Sequence, residues 1–328
     1  MLDRRQALQI GLAAATTFTF AVFITFAEAL SQVSKSITIV VPFAAGGPQD
    51  TVARLVAEQI SKSRGQSLLI ENRPGASSTI GTEAVARAAA DGNTLLVNGV
   101  PFLQTPYLRK VSYDPLTNFE PICILARFPI ILLVNEAAPY RTFSDFLTAA
   151  RAKPGELALA SFGPLTAEQI AVELLKRRAN INMTFVPYPG YAPAVSGLLG
   201  GHVTSAIADY SASAQHLVAG KLRALATLSP ARIQPLPGVP TMAELGYPGI
   251  ELDLWSGLFA PANTPKDVLS RLTDWFTAAV QTPELSTKLI SQGFYPVGVC
   301  GADFKALTQR QYEDYGRVIR EIDLKPEQ

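Results

Sequence analysis

The chain has 328 residues, 48% apolar and 17% charged, enough for a large core arranged as one large or two mid-sized domains. With 28 Lys and Arg against 27 Asp and Glu, the formal net charge is +1. There is no basic excess to track a phosphate backbone, which argues against nucleic acid as a partner. Two cysteines, Cys123 and Cys300, and two histidines without ligand spacing, His202 and His216, make no zinc site, and no cofactor is implied. Sequence leaves open whether the cysteines pair.

The N-terminus reads as an export signal. Arg4 and Arg5 form a basic start, residues 10–27 are uncharged and largely apolar, and Ala27-Glu28-Ala29 fits the small-x-small rule for signal peptidase. The expectation is a signal peptide over residues 1–29, cleaved near Ala29, and a periplasmic mature protein. Asp3 before the Arg pair and Ala7 after it fit the twin-arginine pattern poorly, which favours Sec export. An uncleaved anchor is the other reading, because the apolar stretch is close to the lower limit for spanning a bilayer.

From residue 37 the chain alternates strand, loop and helix. A buried strand is expected at residues 37–41 (ITIVV), followed by Pro42-Phe43-Ala44-Ala45-Gly46-Gly47-Pro48 and a helix from about Thr51, with Asp50 as its cap. A second strand at 68–71 leads through Asn72-Arg73-Pro74-Gly75-Ala76-Ser77-Ser78 into a helix over 79–90, and a third strand occupies 94–98. Later strands are expected at 130–134, 157–161, 185–187 and 203–208. Helices are expected over 143–152, from about Thr166, and after Asn263-Thr264-Pro265. Strands alternating with helices imply parallel sheets with right-handed crossovers.

In open parallel sheets, ligands bind beyond the carboxyl ends of the strands. Two loops there run into helix N-termini, whose free N–H groups and partial positive charge suit an anion. Gly46, Gly47 and Gly75 let backbone approach a ligand, and Ser77, Ser78 and Thr79 add hydroxyls. The matching segments of the second half are Ser161-Phe162-Gly163-Pro164-Leu165-Thr166, Tyr188-Pro189-Gly190-Tyr191 and Asp209-Tyr210. Candidate ligand-binding residues there are Ser161, Thr166, Tyr188 and Asp209. Arg73 is expected to pair with Glu71, His202 and His216 to lie at the surface or cap helices, and Trp255 to pack between the halves. No nucleophile elbow, phosphate-loop lysine motif, dinucleotide fingerprint or paired metal-ligand helix occurs, so no catalytic residue is assigned.

These segments resemble those of the extracytoplasmic receptors of tripartite tricarboxylate transporters, the Bug-type solute-binding proteins. The likeness rests on Pro42-Phe43-Ala44-Ala45-Gly46-Gly47 with Asp50, and on Glu71-Asn72-Arg73-Pro74-Gly75-Ala76-Ser77-Ser78 with Gly81. Asp91-Gly92, Tyr113-Asp114-Pro115, Val186-Pro187-Tyr188, Leu198-Leu199-Gly200-Gly201, residues 220–226, Pro240-Thr241-Met242-Ala243-Glu244 and Trp255 with Gly257 follow in order. The resemblance covers roughly residues 37–320. It implies an α/β fold of the type II periplasmic-binding-protein kind: two lobes, each a mostly parallel sheet flanked by helices, joined by two crossover strands. Lobe one would be 30–132 plus 250–328, and lobe two 133–249.

The resemblance further implies that a ligand carboxylate meets Phe43, Ala44, Ala45, Gly46 and Gly47 together with residues 75–79. The implied function is a monomeric, non-enzymatic receptor that captures a small carboxylate and delivers it transiently to membrane transporter subunits. Delivery to a membrane signalling protein is the alternative, and a periplasmic α/β hydrolase a more distant one. The family pattern is broken at Leu165, at Ala167-Glu168-Gln169, and at Pro189, where a lysine is common. With no Lys or Arg in the lobe-two segments, and Asp209 there to repel a second anionic end unless the ligand carries an amine, the expected ligand is a monocarboxylate. A dicarboxylate or amino acid comes next and citrate last.

Overall fold

The computed structural model describes residues 36–163 and 166–322. The expected signal peptide, together with Pro164 and Leu165, lies outside the described residues. β1 (Ile37–Val41) is a short, almost wholly buried β-branched run, as a strand covered on both faces requires. It leads into α1 (Pro48–Arg64), β2 (Leu68–Asn72), α2 (Thr79–Ala86), β3 (Thr94–Asn98) and α3 (Val100–Leu108). α1 starts earlier than its sequence suggests. Pro48, with its φ already fixed, takes the first turn after Gly47, so Asp50 falls inside that turn rather than capping it. α2 ends sooner, because a turn in which the Ala88 N–H donates to the Val85 carbonyl sends the chain toward β3.

Two long strands missing from the sequence reading complete the first sheet: β4 (Phe119–Phe128) and β10 (Leu254–Pro261). They pair antiparallel with register shifts between Ser256 and Gly257 and between Leu258 and Phe259. Pro121 and Gly257 disguise the strand pattern. A Cβ on Gly257 would sit 2.6 Å from both the Phe304 and Trp255 rings, so the packing of those rings requires glycine there. With the short β11 (Tyr295–Pro296), the sheet order is β11-β4-β10-β3-β1-β2.

The chain passes through Pro129 into β5 (Ile130–Asn135) and continues as α4 (Phe143–Ala152), β6 (Ala158–Phe162), α5 (Ala167–Ala179), β7 (Thr184–Tyr188) and α6 (Tyr191–Leu199). β8 (Ser205–Asp209), α7 (Tyr210–Val218) and β9 (Leu222–Thr227) follow. The second sheet has the order β7-β6-β8-β5-β9. Residues 130–132, expected in lobe one, pair here with β8, because the turn between sheets falls at Pro129. The chain returns through residues 228–253 to β10, then forms α8 (Lys266–Val280), α9 (Pro283–Ser291), β11 and α10 (Gly301–Glu321).

Within the first sheet β1, β2, β3 and β4 run one way, and within the second β6, β7, β8 and β9 do. β10 and β5 run against their neighbours. Most strands of each sheet therefore run one way, but five of the nine described pairings are antiparallel: those of β10 and β5, where the chain changes sheets, and that of β11 with β4. The first core gathers Phe102, Phe119, Phe259, Phe304 and Trp255, with Phe119 edge-on to Phe102 at 5.0 Å between centroids. Such aromatic pairs add about 0.5–1.5 kcal/mol beyond their burial.

Candidate ligand-binding site

The first wall stands at the carboxyl ends of β1 and β2. Asp50 organises it. Its carboxylate accepts from the Gly46 N–H at 2.8 Å, from Asn72 Nδ2 at 2.9 Å and from Arg54 Nε at 2.9 Å. The same Asn72 amide donates to the Phe43 carbonyl at 3.1 Å, which ties residues 43–47 to β2. Burial alone would raise the Asp50 pKa; the hydrogen bonds from Arg54, Gly46 and Asn72, with the Arg54 charge, outweigh it and hold the carboxyl below its usual range. Phe43 is half-buried, Ala44, Ala45 and Gly46 are exposed, and Gly47 is intermediate.

The second loop is wound left-handed through four successive residues. Gly75 has φ 133°, Ala76 47°, Ser77 51° and Ser78 74°. For non-glycine residues this conformation costs about 1–2 kcal/mol each, and such strain clusters at ligand clamps. Among the described residues no backbone carbonyl accepts from the N–H groups of Ala76, Ser77 or Ser78. Consecutive free N–H groups at a tight turn form an anion-binding concavity. Ser78 is the N-cap of α2 with its side chain uncommitted to capping, 3.5 Å from Asn98 Nδ2. Thr79 Oγ1 is buried with no hydrogen-bond partner, and so is Gln49 Oε1. The loops are held close at Gly81, where a Cβ would lie 2.8 Å from Pro42 Cβ and 2.9 Å from the Arg73 carbonyl oxygen.

A second wall of candidate residues stands at the carboxyl ends of β6, β7 and β8. Here the structure separates the expected residues by role. Ser161 is fully buried and donates to the Ile207 carbonyl at 2.9 Å, so its hydroxyl ties β6 to β8. Thr166 donates to the Phe162 carbonyl at 3.0 Å and caps α5 by accepting from the Gln169 N–H. Tyr188 packs its phenol over Gly197 of α6. Asp209, 1% exposed, accepts from the Ser211 hydroxyl.

Sequence reasoning named Tyr191 in a cleft segment and Glu168 in a break of the family pattern but assigned neither as a site residue. Glu168, in the first turn of α5, is 2% exposed and accepts from the Tyr191 hydroxyl. Burial pushes its carboxyl pKa up; hydrogen bonds from Tyr191 and the helix head offset part of this, and the Asp209 charge adds to it. Burial likewise raises Asp209, partly offset by Ser211 and the Ala212 N–H. The available signal was positional: Asp209 closes β8, and Glu168 lies in the first turn of the helix that follows β6, its neighbour in the sheet.

Other expectations meet simple outcomes. Arg73 donates to Glu71 at 2.6 Å, and His202 lies at the surface. Trp255, expected between the halves, is instead fully buried in the core of the first sheet, where it donates to Gln311 at 2.8 Å and meets Phe304 edge-on. Cys123 and Cys300 form a disulfide joining β4 to the head of α10. Among the described residues no group of three or more His, Cys, Asp or Glu is placed to hold a metal ion, and no helix is long and apolar enough to cross a membrane.

Known proteins share this architecture. The sequence profile described as "Tripartite tricarboxylate transporter family receptor" matches residues 52–324. The "UPF0065 protein in tcbD-tcbE intergenic region" of Pseudomonas sp. (strain P51) is 36% identical over 297 residues, covering 90% of this chain and 88% of its own. "R. palustris Rpa4515 with adipate" superposes with a TM-score of 0.82 at 32% identity, covering 90% of this chain and 100% of that one. "MatC (Rpa3494) from Rhodopseudomonas palustris with bound malate" gives 0.76 at 30% identity, covering 88% and 99%. The chain therefore belongs to the receptor family of the tripartite tricarboxylate transporters.

Proposed function

We infer that this protein is a periplasmic receptor that captures one small carboxylate and performs no chemistry on it. The observation that carries this reading is the left-handed loop at residues 75–78, with unclaimed N–H groups leading to the unpartnered, buried Thr79 hydroxyl. A carboxylate satisfies all of these at once, and hydrogen bonds to a charged group are worth about 1.5–3 kcal/mol each. The adipate- and malate-bound relatives support the ligand class.

In this reading the sheet containing β1 and the sheet containing β6 form two lobes that close over the ligand by a hinge at the two crossovers. The protein is exported by a signal peptide ending near Ala29, acts as a monomer, and presents its closed form to membrane transporter subunits. A thermal-shift panel of carboxylates tests the assignment. A ligand at about 100 times its Kd stabilises by roughly 2.7 kcal/mol, which raises Tm by several degrees. A panel in which no carboxylate moves Tm overturns it.

A further inference from the structure

The second wall carries two buried acids and no counter-cation. Glu168 at the head of α5 and Asp209 at the end of β8 are 2% and 1% exposed. None of the ion pairs among the described residues includes either. Their hydrogen bonds come from neutral donors: Tyr191 to Glu168, and Ser211 to Asp209. α3, which packs against α5, buries Gln104 at 1% exposure with neither amide atom partnered. A buried carboxylate without a cation is costly, and a partner that brings positive charge removes that cost.

The geometry points to a zwitterionic ligand: a carboxylate at residues 75–79 on the first wall and a cationic nitrogen against Glu168, Asp209 and the Tyr191 oxygen on the second. This rests on the receptor reading above and narrows its ligand class. A carboxylate at the far end, as in adipate or malate, would meet two acids and no cation. An ammonium donates to both carboxyls, and its three hydrogens suit Glu168, Asp209 and an additional neutral acceptor. Pro189 fits this chemistry too, since it places no cation beside the acids.

Calorimetry on the mature protein with length-matched probes tests the inference: adipate, 6-aminohexanoate and hexanoate, then succinate, 4-aminobutyrate and butyrate. The expected result is that in at least one series the amino acid binds ten-fold or more tighter than the dicarboxylate of equal length. Glu168→Gln and Asp209→Asn should each shrink that ratio. Dicarboxylates binding as well as or better than their amino counterparts to the wild-type protein would overturn the inference and leave the receptor reading intact. So would a ratio unchanged in both variants. Failure of every carboxylate to bind would instead overturn the receptor reading beneath it.

Discussion

Asn72 on β2 donates to Asp50 on α1 at 2.9 Å and, with the same amide nitrogen, to the carbonyl of Phe43 at 3.1 Å. One side chain thus fixes the spacing between the first helix and the loop before it. Asp50→Ala removes the acceptor for Gly46, Arg54 and Asn72 together. The expected loss is about 1.5–3 kcal/mol of stability, a fall of several degrees in Tm, with weaker ligand binding besides. Thermal unfolding and titration of the same preparation check this. An unchanged Tm would mean the network does not hold the loop.

Thr79→Val separates binding from folding. The substitution keeps the shape of the side chain and deletes a buried hydroxyl that no protein atom satisfies. Folding stability should stay the same or rise slightly, while carboxylate affinity falls about ten-fold, or 1.4 kcal/mol. If affinity is unchanged, the hydroxyl faces no ligand.

Gly81→Ala tests the close approach of the two loops. The added Cβ meets Pro42 and the backbone at Arg73 inside 3 Å, and backbone does not swing aside as a flexible side chain would. Overpacking of this kind costs about 1–3 kcal/mol and here would also spread the loops. A variant with wild-type Tm and affinity would show that the loops tolerate separation.

The buried acids give a pH signature with a definite sign. Both Glu168 and Asp209 have folded-state pKa values above their ordinary ones, 4.5 and 3.8. Their contribution is least unfavourable below those ordinary values, and the folded state loses stability as pH rises from there through the raised folded values. Asp50, held low, works the other way: its contribution is present above 3.8 and is lost as pH falls through its depressed folded value. Glu168→Gln removes the Glu168 part of the first effect and leaves that of Asp209 in place. The Tm of that variant minus wild type should therefore grow more positive as pH rises above 4.5 in the ligand-free protein. A difference constant across that range would contradict the burial-driven shift.

The sequence told more about local elements than about the site. The expected spans of β1, β3 and α4 match the structure because each is a plain apolar period bounded by polar or turn residues. β4 and β10 went unread because register shifts and ring packing put Pro121 and Gly257 inside them. The turns at 43–47 and 75–78 were legible from their glycines, and their hydroxyls mark them only as candidate ligand contacts. The use of Ser161, Thr166 and Tyr188 to build the second sheet and its helices was not, since a hydroxyl bonded to a backbone carbonyl and one free for a ligand are spelled alike. The proximity of Glu168 to Asp209 depends on β6 and β8 being neighbours, which strand order alone decides.

The disulfide between Cys123 and Cys300 closes a loop with a sequence separation of 177. Replacing both cysteines by serine should cost about 2–5 kcal/mol, on a chain-entropy account in which long loops gain most. Mass analysis after thiol alkylation without reduction should find no modified cysteine in periplasmic protein. Alkylation of both in the folded protein would refute the bond.

The most direct measurement is calorimetry of the mature protein with whichever carboxylate gives the largest thermal shift. The account predicts one site per chain and affinity reduced about ten-fold by Thr79→Val with the fold intact. Saturable binding that is indifferent to Thr79, or a ligand consumed into product during the titration, would contradict it.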